Sequence, residues 1–436
     1  MNKLFSFFFI LLFSQKIICQ NTYFLNSKTR SEIVNTTADL LKASYVFSDK
    51  AIKMSESLKN NLKKGKYNKI TDPVQLADIL TTDVLAINKD GHLRLEYNPG
   101  FFTRQQDTTG EDQRELQQQK RDLARNYGFK KTEILYGNIG YLELSGFHAL
   151  SKRSKDAALA SLKFLSNTKA IIIDMRINGG GSPEMVRHLL GYFFDKETHI
   201  NDFYNRQTNK VTENWTRVDT SQVNFTKMPL YILASDKTAS AAEEFCYDLQ
   251  NQHRAIIIGN TTAGAAHPTM ELDATNGIVL FNPYARAINP VTKTNWEGIG
   301  VKPEINSTSE KALETAHLKI LDELILNTKD ATDLFDLKWY LDITKCIYLP
   351  QQTDTLILKK YAGVFGERTI TYENGKLFYQ RINKPKFEME TISPGLMKAK
   401  NNNFFKVEFV TSASLEVTDM KIYYQDNRVE TAKRSN

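Results

Sequence analysis

Ser240 stands in the run Thr238-Ala239-Ser240-Ala241-Ala242-Glu243, shortly after the apolar stretch Leu230–Ala234. Small residues on both sides leave room for a substrate carbonyl, and a serine hydroxyl becomes a nucleophile once a neighbour takes its proton. Ser235 and Thr238 suit the ordinary turn and capping roles of hydroxyl residues, which leaves Ser240 for chemistry. A second segment, Ile173-Asp174-Met175-Arg176-Ile177-Asn178-Gly179-Gly180-Gly181, closes another buried apolar run with three glycines and a helix opened by Ser182-Pro183. Glycines there let backbone amides approach a ligand at a helix N-terminus. The spacings of a phosphate loop or a dinucleotide fingerprint are absent. Two readings stand: an oxyanion hole, which needs only one or two aimed amides, and a tight strand-to-helix turn. Asp174 and Arg176 read as an ion pair holding that loop. His92, in Asp90-Gly91-His92-Leu93, and Glu297, in Asn295-Trp296-Glu297-Gly298, offer a base and a carboxylate, although each alone is an ordinary loop residue. His267, in Ala265-Ala266-His267-Pro268, is a rival base or a substrate-lining residue.

These residues need a scaffold, and the pattern around them predicts one. Residues 139–144, 169–175, 230–234 and 255–259 read as strands, the last three as continuous apolar runs buried on both faces. Helices fit between them at 151–166, 183–194 and 239–251. Strands alternating with helices predict an α/β domain with a largely parallel sheet, and Ser240 falls just past its C-terminal edge, where such folds place ligands. Upstream, residues 27–87 read as three helices: Ser27 and Ser31 can cap the first, Gly65 ends the second and Thr71-Asp72-Pro73 starts the third. Residues 103–131 are charged and Gln-rich and predict an exposed bridging helix. A helix over 308–326 precedes short alternating strands from 356, with Asn374-Gly375 as a hairpin turn. The expected division is a signal peptide (1–19), an N-terminal helical module (20–102), a charged linker helix (103–131), an α/β catalytic domain (132–306), a helical connector (307–350) and a small β domain (351–436).

Composition narrows the class. The 436 residues are 41% hydrophobic and 25% charged, which excludes disorder and a disulfide scaffold. A net charge of +7, from 57 basic and 50 acidic residues, is too thinly spread for a nucleic-acid binder. Leu4–Phe13, behind Lys3, has the length of a signal-peptide apolar region and is too short to span a bilayer. Cleavage after Cys19 would export the chain to a periplasmic or extracellular space. Lipoprotein anchoring at Cys19 is disfavoured because Ile18, not a small residue, precedes it. No later stretch reaches about 18 apolar residues, so no stable membrane span is expected. Cys246 and Cys346 read as two unpaired thiols.

Taken in order, these motifs resemble the tail-specific (C-terminal processing) serine proteases, in the branch with the tricorn protease core and the interphotoreceptor retinoid-binding protein. The resemblance runs through Tyr45-Val46-Phe47, Gly65-x-Tyr67, Asp90-Gly91-His92-Leu93 and Gly137-Asn138-Ile139-Gly140-Tyr141. It continues through the Asp174–Gly181 and Thr238–Glu243 segments, Gly259-Asn260-Thr261-Thr262-Ala263-Gly264, and Asn289-Pro290 to Glu297-Gly298. It implies a ClpP/crotonase-like α/β catalytic domain flanked by the helical module and the β domain. It also implies a serine-type peptidase acting on peptides or unfolded chains, without cofactor or metal. Ser240 would be the nucleophile, His92 the general base and Glu297 the carboxylate orienting that base. The Ala241 amide, with Gly180 preferred over Gly181, would hold the oxyanion, and Asn178 and His267 would line the substrate. Two departures matter: Ala265 replaces the lysine of the Ser–Lys branch, and Gly91 replaces the serine beside the histidine in tricorn-type sites. Between His92 and Gly137 there is no room for a PDZ domain. Tyr361–Gly366 resembles the start of a β domain appended to secreted bacterial hydrolases. The competing expectation is a non-catalytic carrier of hydrophobic ligands on the same fold. A carrier has no need of the serine, histidine, carboxylate and glycine set, which favours the enzyme.

Overall fold

The computed structural model describes residues 24–106, 111–218, 223–414 and 416–435. The expected signal peptide and Cys19 lie outside the described residues, as does part of the linker. In chain order the elements are α1 (Ser27–Ser44), α2 (Ser48–Lys63), α3 (Pro73–Leu85), β1 (Arg94–Tyr97), α4 (Phe101–Gln106), α5 (Glu111–Ala124), β2 (Phe129–Leu135), β3 (Ile139–Leu144), α6 (Lys152–Phe164), β4 (Ala170–Asp174) and α7 (Pro183–Leu190). There follow β5 (His199–Asn205), β6 (Lys210–Trp215), β7 (Leu230–Ala234), α8 (Ala241–Asn251), β8 (Ile256–Gly259), β9 (Thr269–Asp273), β10 (Ile278–Pro283), β11 (Ala285–Ile288), β12 (Ile305–Asn306), α9 (Ala312–Asn327) and α10 (Ala331–Tyr348). None of the described helices is long and apolar enough to cross a membrane.

One compact unit gathers the described residues up to Lys89 with those from Leu93 to Gln106 and Thr269–Pro283. Its first helix is capped by the Asn26 side chain, which accepts the Thr29 N–H at 2.9 Å, one residue ahead of the caps expected from sequence. Asp72 caps α3 and Pro73 occupies its first turn, where no amide donor is needed. The inward faces carry Ile33, Val34, Leu41, Met54, Leu58, Leu76 and Leu80, all fully buried. A three-stranded antiparallel sheet, β1-β10-β9, completes this unit.

The second unit holds Asp90–His92 and the described residues from Glu111 to Pro268 and from Tyr284 onward. Its central sheet has the order β12-β8-β7-β4-β3-β2, parallel except for the edge pair β3–β2. Every residue of β4 and β7 is buried. The alternation of strand side chains explains why: Ile171 and Ile173 join one core with Leu162, Leu189 and Phe245, whereas Ile172 joins the other with Ala316, Ile320 and Leu337. The mixed α/β architecture expected from sequence is thus present, with helices on both faces. An eight-stranded antiparallel sheet between Gly363 and Lys433 forms the C-terminal part, and Asn374-Gly375 makes its predicted turn with φ of 50° and 82°. Cys246 and Cys346 are free and buried.

The bridging helix expected through Lys131 instead stops at Ala124. Asn126, Tyr127 and Gly128 take φ of 46°, 53° and 89°, which no helix accommodates, and the chain turns into the edge strand β2. Parallel β4, β7 and β8 all deliver their C-terminal ends to one edge, where the loops Met175–Ser182, Ser235–Ser240 and Asn260–His267 emerge. Gly259 closes β8 with φ of 135°, and a Cβ there would lie 2.0 Å from the Ala234 carbonyl oxygen of β7. Gly259→Ala should lower unfolding stability by about 2–3 kcal/mol, read as a shifted urea midpoint. An unchanged midpoint would mean this crossing is looser than described.

Candidate active site

Ser240 occupies the turn between β7 and α8 with φ 56° and ψ −124°, a conformation that costs a non-glycine residue about 1–3 kcal/mol. Something must hold it there, and Glu243 does. One oxygen of this fully buried carboxylate accepts the Ser240 N–H at 2.8 Å and the Ala265 N–H at 2.9 Å. The other accepts the Gly264 N–H at 2.6 Å and the Thr262 hydroxyl at 2.5 Å. One side chain therefore ties the Ser240 turn to the loop leading to His267. Burial raises the Glu243 pKa, and these hydrogen bonds partly offset it. Ser235 and Thr238 stitch the same turn to the glycine loop: their hydroxyls donate to the Arg176 carbonyl at 2.5 Å and the Met175 carbonyl at 2.9 Å.

The glycine loop presses against Ser240. A Cβ on Gly180 would stand 2.8 Å from Ser240 Cβ and 2.9 Å from the Ala241 nitrogen; one on Gly181 would stand 1.9 Å from the Phe147 oxygen. Both glycines have positive φ, 102° and 135°. The preference for Gly180 as oxyanion donor needs correction, because its N–H already donates to Asn178 Oδ1 at 2.9 Å. Gly181 pairs with Phe147 through its neighbours: the Phe147 N–H donates to Gly180 O and the Ser182 N–H to Phe147 O. In this parallel bridge the Gly181 N–H points away from Phe147, and among the described residues it meets no backbone acceptor. Asn178 is corrected too. It is fully buried, its amide donates to the Leu144 carbonyl at 3.0 Å, and it holds the loop rather than lining a substrate. Asp174 and Arg176 form the expected ion pair, with Nε–Oδ1 at 2.9 Å, and Arg176 also donates to the Ser309 carbonyl at 2.6 Å.

Asp90, Glu297 and His267 make a second cluster. His267 is 2% exposed, with Nδ1 2.8 Å from Asp90 Oδ2 and 3.5 Å from Glu297 Oε2. Glu297 accepts the Gly91 N–H at 2.7 Å and the Ala266 N–H at 2.6 Å, and Asp90 Oδ1 accepts the His92 N–H at 3.2 Å. The two carboxylates thus grip the backbone on either side of the Gly91–His92 bond, leaving the His92 side chain half-buried. Burial raises the Glu297 pKa, and the Asp90 charge raises it further. The three side chains present donor atoms within 4.8 Å of one another, a spacing a metal ion could bridge, but both Glu297 oxygens already accept amide protons. The roles of Asp90 and Glu243 escaped the sequence reading. Glu243 has a signal, a serine N-cap followed three residues later by glutamate. Asp90 has none, since its partner lies 177 residues away.

The edge of the parallel sheet thus carries a strained serine at a helix start with a glycine loop against it, and a carboxylate–imidazole cluster adjoins it through residues 264–267. Residues 138–307 match peptidase family S41, and residues 25–126 match the N-terminal domain of Peptidase_S41 in eukaryotic IRBP. The chain is 28% identical over 167 residues to carboxyl-terminal-processing peptidase 2, chloroplastic, of Arabidopsis thaliana, covering 38% of this chain and 31% of the relative. It is 27% identical over 133 residues to the carboxy-terminal processing protease CtpA of Bacillus subtilis, covering 30% and 27%. The aligned part is thus about a third of the length of these curated relatives. Among solved structures, a photosystem II D1 C-terminal processing protease aligns over 64% of this chain and 94% of its own at 15% identity, TM-score 0.43.

Two outcomes follow for the site's supports. Glu243→Ala leaves three amides and a hydroxyl buried without their acceptor, so stability should fall by about 3 kcal/mol, measured by urea unfolding. On the buried side of α8, Glu244 faces Asn201 at 3.5 Å and Asp248 faces Asn289 at 3.3 Å. Burial pushes Glu244 up to about 7, and burial with the Glu244 charge raises Asp248. The folded chain keeps a proton on Glu244 that the unfolded chain releases, so stability should fall as pH rises from 4.5 to about 7. Glu244→Gln should make that fall shallower in urea midpoints taken across the range.

Proposed function

We propose that the protein is an exported serine-type peptidase. Ser240 Oγ attacks the peptide carbonyl carbon while His92 takes its proton. The Gly181 and Ala241 amides hold the oxyanion. The protonated base then donates to the leaving amine, and water, deprotonated by the same base, releases the acyl group from Ser240. A neutral imidazole has the right basicity near pH 7. Asp90 and Glu297 position His92 through its backbone, with His267 as their buried partner. The observation that carries the reading is Ser240 held at positive φ against Gly180 and Ala241. The S41 domain match and the processing-peptidase relatives support the same chemistry. Export rests on the apolar run Leu4–Phe13.

A second assignment of the base has its own support: His267 has a carboxylate on Nδ1, as an oriented base would. Its 2% exposure argues for a supporting role, because a base must reach the nucleophile and leaving group. Labelling of the full chain with a fluorophosphonate separates the two. Ser240→Ala should abolish labelling, His92→Ala should slow it about 10³-fold, and His267→Ala should slow it far less. Labelling of Ser240→Ala at the wild-type rate would sink the nucleophile. Slowing by His267→Ala with no effect of His92→Ala would move the base to His267.

A further inference from the structure

At the opposite end of the central sheet lies a cavity of about 720 Å³. Lys169, on its wall, precedes β4, whereas the glycine loop leaves the far end of that five-residue strand. The cavity and the Ser240 turn are therefore separated by a strand length, about 16 Å. The volume is in the range of a ligand site, and the proposed chemistry uses none of its residues.

Three properties of the walls identify what it would hold. First, they are aromatic: the rings of Tyr136 and Tyr340 stack at 5.6 Å, and Tyr348 stands beside His317. Second, the charge is negative. His317 Nε2 is 2.8 Å from the Tyr136 carbonyl, which can only accept, so that nitrogen carries the proton and Nδ1 accepts from the Tyr348 hydroxyl at 3.3 Å. Burial lowers the His317 pKa, so the ring is neutral at pH 7. Lys169 is paired with Asp333 at 3.1 Å and Lys131 with Glu133 at 2.5 Å. Asp336 lines the cavity, and Glu133 and Glu314 both act on Tyr348, helping to raise its pKa. On the walls themselves the carboxylates Glu133 and Asp336 thus outnumber the one lysine, Lys169, whose charge Asp333 offsets. Third, one wall is an open strand edge. β2 pairs only with β3, and among the described residues no other backbone group bonds to residues 130–135. Ile134, 49% exposed, lies on this edge.

We propose that this cavity is a binding site for an extended polypeptide that adds as a strand to the open edge of β2 and places an arginine or lysine side chain in the cavity. Aromatic faces and carboxylates together select an amphipathic cation, and a free strand edge supplies main-chain pairing. The site is independent of Ser240. As an exosite for substrate it rests on the peptidase reading; as a binding site it does not.

The test uses the full chain carrying Ser240→Ala and two fluorescein-labelled peptides, Thr-Val-Thr-Arg-Thr-Val-Thr and the same sequence with glutamate in the centre. Fluorescence anisotropy should show the arginine peptide binding at least about tenfold tighter, weakening as salt rises. Asp336→Asn and Tyr340→Ala should each weaken it about fivefold, while the same substitutions with Ser240 intact leave fluorophosphonate labelling unchanged. Asp336 is half-buried, so its conservative replacement spares the fold if Tyr340→Ala does not. Equal affinities for the two peptides, no binding of the arginine peptide, or indifference to Asp336→Asn would overturn the proposal. So would N-acetylarginine amide binding as tightly as the peptide, because the strand edge would then contribute nothing.

Discussion

Serine does not rest willingly at φ 56°, and the candidate site depends on what keeps Ser240 there. The restraint is one buried carboxylate. Glu243 faces the Ser240 amide from within its own helix and the Gly264 and Ala265 amides from the loop after β8. Desolvating a carboxylate is unfavourable, and here four donors compensate it. The strain at Ser240 and the burial of Glu243 are thus coupled: each is tolerable because the other supplies its counterpart. The glycine loop completes the arrangement from the other side, its missing side chains allowing backbone to approach within contact distance of Ser240.

The second cluster works by the same logic over a longer chain distance. Asp90 and Glu297 spend their oxygens on amides of residues 91, 92 and 266, and on His267. Carboxylates used this way fix backbone, so the half-buried His92 ring is presented by a rigid turn. Two polar clusters, joined through the segment Gly264–His267, connect the Ser240 turn to the segments that carry Asp90–His92 and Glu297.

The scaffold was legible in the sequence wherever burial on both faces left a continuous apolar run: β4, β7 and β8 fall within a residue of where those runs lie. The Asn374-Gly375 turn was equally plain, because few residues other than glycine and asparagine accept its backbone angles. β2 was not legible. Its half-exposed residues carry lysines and glutamate, and the helical composition before it masks the positive-φ break at residues 126–128. At the site, Ser240, His92 and Glu297 stood out through their motifs, but the competition for hydrogen-bond acceptors did not. That Gly180 is already bonded to Asn178, and Gly181 is not, depends on the twist of the loop rather than on residue types. Asp90 was invisible as a partner for His267 because nothing local marks a contact between residues so far apart.

The contact between Gly91 and Ala265 has a bearing on how such sites diverge. A Cβ on Gly91 would sit 3.0 Å from Ala265 Cβ and 3.1 Å from the Gly264 oxygen. The two positions where this chain departs from its resemblance are therefore one packing arrangement, not two independent losses. A side chain at position 91 crowds Ala265, and both positions border Glu297, the carboxylate that holds the Gly91 and Ala266 amides. Any side chain introduced at position 91 would therefore have to be accommodated by a shift of the segment that carries Gly264 and Ala265.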